Sequence, residues 1–135
     1  MTSSTAVAND ADLVLTVVAG TYDFDIFLAT YEATSGAGGF QFDLGQGSAT
    51  VSAILWAADG YGTALLGSPA AVSATTAQQI ATVATSSSAP SWFKAKGQVT
   101  FSAGGTFGIR WAQVSSSANA TTLKAMSHME MRKVA

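Results

Sequence analysis

The 135-residue sequence has no cysteine, two prolines, one histidine, and only six basic and eight acidic side chains. Each shortage excludes something. Without cysteine there can be no disulfide scaffold, no thiolate nucleophile and no Cys-ligated zinc. Charged residues make up 10% of the chain, where about 25% is usual for soluble domains. A chain this poor in charge and 48% hydrophobic is not a solvated disordered polymer. Its net charge of −2 gives no electrostatic footprint for phosphate, so no nucleic-acid partner is expected. No apolar run approaches the roughly 18 residues of a membrane-spanning helix. The first ten residues, Met1 to Asp10, hold no Lys or Arg and no apolar stretch, so no secretory signal is expected and the protein should be soluble. A single imidazole, His128, has no second histidine for a metal site, and no serine sits in a nucleophile-elbow context. Neither enzymatic activity nor a cofactor or metal is expected.

Small side chains dominate what is present: 26 Ala, 16 Ser and 16 Thr. A surface built of these and of glycine, with little charge for solubility, suggests cover by other subunits. The charge is also divided along the chain. Residues 1–60 carry Asp10, Asp12, Asp23, Asp25, Glu32, Asp43 and Asp59 and no base. Residues 61–135 carry Lys94, Lys96, Arg110, Lys124, Arg132 and Lys133 against Glu130. Neither half has a run of like charge, so the expectation is pairing of acid with base within a sheet or between subunits.

The length suits one domain. Residues 1–11 are small and polar without period and read as an extended arm, and residues 12–135 as the folded domain. Leu13 to Val18 is a β-branched strand ended by Ala19-Gly20. Tyr22, Phe24, Ile26 and Leu28 then alternate with Asp23 and Asp25, the period-two pattern of a half-buried strand. Gly36-Ala-Gly-Gly39 breaks the chain, and Phe40, Phe42 and Leu44 resume the alternation. Gly45-Gln-Gly47 makes the next turn and Ala49 to Ala57 the next strand. Asp59-Gly60 is a hairpin signal. The Ala/Ser/Thr-rich stretch from Gly67 to Ser91 favours extended backbone through Thr82, Val83 and Thr85, with a strand near Gln79–Thr85. Three long strands follow: Trp92 to Ala103, Gly105 to Val114 and Thr121 to Val134. About eight strands with frequent turn signals and no helix predict an all-β, antiparallel sandwich or barrel.

Few residues offer chemistry. His128 shares a strand face with Met126, Glu130 and Arg132 and reads as a surface or interface side chain. Asp23 and Asp25 could serve as paired carboxylates, but alternation with Phe24 already makes them the solvent side of their strand. The glycine clusters neither open a helix nor precede a lysine, so they are loops rather than phosphate cradles. Asn119-Ala-Thr121 matches a glycosylation sequon. Trp56, Tyr61, Trp92 and Trp111 could form a sugar-stacking platform, although their dispersal favours core or interface filling.

The segment from Gly104-Gly-Thr-Phe-Gly-Ile-Arg-Trp-Ala-Gln113 through the Ser/Asn/Thr-rich loop to His128-Met-Glu-Met-Arg-Lys-Val134 resembles the C-terminal hairpin of small tailed-phage virion proteins. Ala19-Gly-Thr-Tyr-Asp-Phe-Asp25, followed by Gly39-Phe-Gln-Phe42, looks like their first hairpin. The resemblance spans residues 12–134. It implies a jelly-roll sandwich like the trimeric heads of the tumour-necrosis-factor and complement type. It further implies a capsid decoration, or cement, protein on the virion surface, made in the bacterial host cytoplasm. Its partners would be itself, as a homotrimer, and the major capsid protein, with neither nucleic acid nor membrane. The alternative is a receptor-binding or fibre-tip domain recognising a host-surface glycan. The trimer contact is expected among the outward residues Phe27, Arg110, Met126, His128 and Glu130. Phe27, an apolar residue on the polar side of its strand, needs a cover. Thr5, Val7 and Asn9 of the arm are the expected capsid contacts, ordered only when docked.

Overall fold

The computed structural model describes residues 2–32, 38–61, 70–74, 81–83 and 91–135. Ten strands are described: β1 (Ala8–Val17), β2 (Gly20–Glu32), β3 (Phe40–Gln46), β4 (Thr50–Tyr61), β5 (Ala70–Ala74), β6 (Ala81–Val83), β7 (Ser91–Ala103), β8 (Gly105–Ala112), β9 (Thr121–Leu123) and β10 (His128–Lys133). The alternation that marks β2 is realised directly. Tyr22, Phe24, Ile26 and Leu28 are buried while Asp23, Asp25 and Phe27 are half-buried on the opposite face, as the two-residue period of a strand requires. Among the described residues no helix is long and apolar enough to cross a membrane.

The strands form an antiparallel sandwich. One sheet has the order β1-β8-β3-β6 and the other β10-β2-β7-β4-β5, with β9 also pairing β2. The core lies between them and is closed by aromatic contacts from sheet to sheet. Phe40 of β3 stacks on Phe93 of β7 at 5.3 Å, and Phe107 of β8 meets Phe101 of β7 edge-on at 5.1 Å. Such ring pairs add to the burial energy of the rings themselves.

Most connections cross between the sheets, which corrects the two expected hairpins. β2 and β3 lie in different sheets, as do β8 and the β9–β10 pair. Local pattern signals that a strand ends, whereas the sheet it enters next depends on which long-range partner covers its apolar face. Two crossings run side by side: Val17 at the end of β1 pairs with Gly105, and Gly20 at the start of β2 pairs with Phe101. Gly105 has φ 152°, and a Cβ there would stand 2.5 Å from the Ala49 nitrogen. Only glycine makes that corner without strain.

Three further expectations move. Asp59-Gly60 is not a turn, because both residues lie inside β4 and pair with Lys94 and Phe93. The strand expected near Gln79–Thr85 appears as β6, Ala81–Val83, and Gln79, Ile80, Ala84, Thr85 and the loop residues Gly36-Ala37 lie outside the described residues. The last strand is interrupted. β9 pairs Leu123 with Thr30 and β10 pairs His128 with Phe27, so two extra residues are accommodated at 124–127. There Ser127 Oγ takes the place of a ladder carbonyl, accepting the Ala29 N–H at 3.0 Å.

The N-terminal segment is more integrated than an arm of residues 1–11. β1 begins at Ala8, and Asn9 pairs with Arg110. Residues 10–13 then bulge out, held by Asp10, whose carboxylate accepts the N–H groups of Asp12 and Leu13 at 2.9 and 3.0 Å and the Trp111 indole N–H at 3.0 Å. Ahead of β1 the chain is bound as well. Ser3 N–H donates to the Ser117 carbonyl at 2.7 Å, the Ser4 carbonyl accepts the Gln113 N–H at 3.1 Å, and the Thr5 carbonyl accepts Gln41 Nε2 at 2.7 Å. Val7 is half-buried. These bonds tie the segment to the 113–117 loop and to β3 within one subunit.

Candidate interaction face

β2, β7, β4 and β10 all turn one set of alternate side chains to the outside of the same sheet, and their register arranges these in rows. Glu130, Asp25, Lys96 and Ala57 form one row. Arg132, Asp23, Gln98 and Leu55 form the second, and His128, Phe27, Lys94 and Asp59 the third. The division of charge along the sequence becomes cross-strand pairing here. Lys96 Nζ lies 2.8 Å from Asp25, and Arg132 lies 3.2 Å from Asp23, whose other oxygen accepts Gln98 Nε2 at 3.0 Å. The Gln98 amide first, and then Arg132, hold the Asp23 carboxyl below its ordinary value. The Asp25 carboxylate raises the Lys96 ammonium above its own. Both aspartates thus serve as partners of basic and amide groups on the solvent side.

At the β10 end of this face Phe27 and His128 stack, with ring centroids 5.7 Å apart and planes 22° from parallel. The cover that Phe27 needs therefore comes, in part, from its own chain. His128 Nδ1 sits 3.3 Å from the Met126 carbonyl oxygen, and the Met126 side chain is 61% exposed. A shallow groove of about 400 Å³ runs between Phe27, Met126, His128, Glu130 and Lys94. Four of the five expected contact residues are therefore brought together.

Arg110 is not among them. β8 belongs to the other sheet, and Arg110 is committed there to Asp43 of β3. Its Nε and Nη2 donate to the two carboxylate oxygens at 2.8 and 2.7 Å. This fork raises the guanidinium above its ordinary value. The correction has a simple cause: strand parity says whether a side chain points outward, but not from which sheet.

A second polar assembly was not singled out in the sequence, although parity marks it. Glu32 continues the inward series Ile26, Leu28, Thr30, and Gln113 continues Ile109 and Trp111; both are buried. Glu32 Oε1 accepts the N–H groups of Gly38 and Gly39 and the Thr121 hydroxyl. Gln113 Nε2 donates to the Asn119 carbonyl at 2.7 Å, and its Oε1 accepts the Ser117 N–H at 3.2 Å. Backbone groups that loops leave over at this end of the sandwich are satisfied by these side chains, so the assembly is a clamp. Asn119 of the sequon is exposed in one of the clamped loops.

Trp56 and Trp111 are buried in the core, and Trp92 is half-buried with Lys94 Nζ 5.5 Å above its ring. The Tyr61 side chain lies outside the described residues. Of the four residues expected as an aromatic platform, two fill the core, and Trp92 is the one described side chain that stays partly exposed. Among the described residues no group of three or more His, Asp or Glu side chains could hold a metal ion. Comparison with protein-family models, curated proteins and solved structures finds no match for this chain.

Proposed function

We propose that the protein is a structural protein of a phage virion, a jelly-roll subunit that assembles as a homotrimer and decorates the outside of the capsid shell. The observation that carries this reading is the strand order. Strands 1-8-3-6 facing 2-7-4-5, all antiparallel, is the winding expected of two Greek keys rolled together. That architecture serves capsid and lectin domains. The outer face of the larger sheet supports self-association, since its groove gathers Phe27, Met126 and His128 beside charges of both signs. A cement protein requires contact area and geometric fit; repeated weak contacts on a symmetric shell then add up through avidity.

Quantitative gel analysis of purified virions tests the reading. Hundreds of copies per particle are expected, whereas a few copies would favour the glycan-recognising fibre tip. Light scattering of the free protein should give a mass near three chains, and a monodisperse monomer would reject the trimer.

A further inference from the structure

β10 ends its sheet, and among the described residues no strand pairs with its outer edge. The ladder determines which of its backbone groups face outward. Thr21 accepts the Val134 N–H and Ala29 accepts the Lys124 N–H, each at 2.8 Å, so odd-numbered residues of β2 turn their backbone groups towards the C-terminal strands. Bonded and non-bonded pairs alternate in an antiparallel ladder. His128, Glu130 and Arg132, opposite Phe27, Asp25 and Asp23, are therefore engaged with β2. Met129, Met131 and Lys133 direct N–H and C=O away from the sheet.

Such an edge is a template for another strand, and the side chains specify which one. Glu130 stands directly opposite Asp25, a like charge, and Lys96 is already held by Asp25. Among the described residues no cation pairs with Glu130. Arg132, two residues away with its side chain 80% exposed, donates one N–H to Asp23 and retains other donors of its guanidinium fork.

We infer that β10 pairs with β10 of a second copy, antiparallel, across a two-fold axis at Met131. In this register Met131 faces the partner's Met131 and Met129 faces the partner's Lys133 as bonded pairs, so the residues with free backbone groups meet. The non-bonded pairs, where side chains come closest, set Glu130 against the partner's Arg132 on both sides of the axis. Moving the axis one residue either way would oppose Glu130 to the partner's Glu130, or Arg132 to the partner's Arg132. Charge therefore selects the register that backbone bonding alone leaves open. The contact uses the strand edge beside the Phe27–His128 groove, so at concentrations above those at which the trimer forms it would join two trimers into six chains, and it stands whether or not the protein belongs to a virion.

The lack of cysteine makes cross-linking a clean test. In the full chain, Met131→Cys should give a disulfide-linked dimer under mild oxidation, while Met129→Cys, facing the partner's Lys133, should not. Equal cross-linking at both positions, or none at position 131, overturns the proposal. In sedimentation, Glu130→Arg and Arg132→Glu should each weaken pairing by about tenfold, since each turns two attractions into repulsions. An equimolar mixture of the two variants should restore it, because every cross-axis pair then joins opposite charges. A mixture that associates no better than either variant alone also overturns the proposal.

Discussion

Asp43 is 1% exposed and both its oxygens are bonded by Arg110. Removing one member of such a pair leaves the other half-buried and poorly satisfied. Asp43→Asn should lower stability by about 2 kcal/mol in urea unfolding. Asp23 makes a different prediction, because it is solvent-facing and its effect depends on pH. Its carboxyl is held below the ordinary 3.8 by Gln98 and Arg132. A group depressed in the folded state contributes fully above its unfolded value and loses that contribution as pH falls through the folded one. The stability gap between the wild type and Asp23→Asn should therefore be open near neutral pH and close on acidification below about 3.8. A gap that widens with acid would contradict the Gln98 and Arg132 assignment.

The interrupted C-terminal strand is the element whose local chemistry is most exposed to test. β9 and β10 share one edge of β2, and Ser127 Oγ receives the Ala29 N–H where the ladder breaks. Ser127→Ala leaves that donor without its acceptor and should cost about 1 kcal/mol. Hydrogen exchange at the Ala29 amide should rise in this variant, and unchanged protection would mean the serine is dispensable. The interruption also sets which strand residues face outward. Two inserted residues preserve parity, so His128, Glu130 and Arg132 stay on the outer face and Met129 and Met131 pack against the core. One inserted residue would have exchanged the two sets.

For the molecule as a whole, the N-terminal segment separates two kinds of attachment. Deleting residues through Val7 removes the Ser3, Ser4 and Thr5 contacts to the loops. The sandwich should survive with a loss of about 1–2 kcal/mol. A deletion through Asp10 also strips the β1 bulge and the Trp111 indole of their acceptor. It should lower the thermal midpoint clearly further, and equal midpoints for the two truncations would deny Asp10 its role. If the segment also touches a capsid, the shorter deletion should reduce capsid occupancy while leaving the fold intact.

Much of the sandwich is legible in residue order. Tyr22 to Leu28 and Phe40 to Leu44 announce strands and their buried faces, because parity within a strand is a local property. The outward placement of Phe27, His128 and Glu130 follows in the same way. Arg110 shows where that reasoning stops: its outward direction is local, but its sheet is decided by β8 crossing the sandwich to lie between β1 and β3. Asp59-Gly60 has turn chemistry and still lies in a strand, because pairing with Lys94 and Phe93 outweighs a two-residue preference. By itself, then, the sequence determined an all-β chain, its inward and outward side chains and a division of charge awaiting partners. Only the tertiary structure decided which strands meet, turning that division into the Asp23–Arg132, Asp25–Lys96 and Asp43–Arg110 pairs. The reason is that strand pairing is settled by contacts between residues far apart in the chain, which compete for the same edges and the same core.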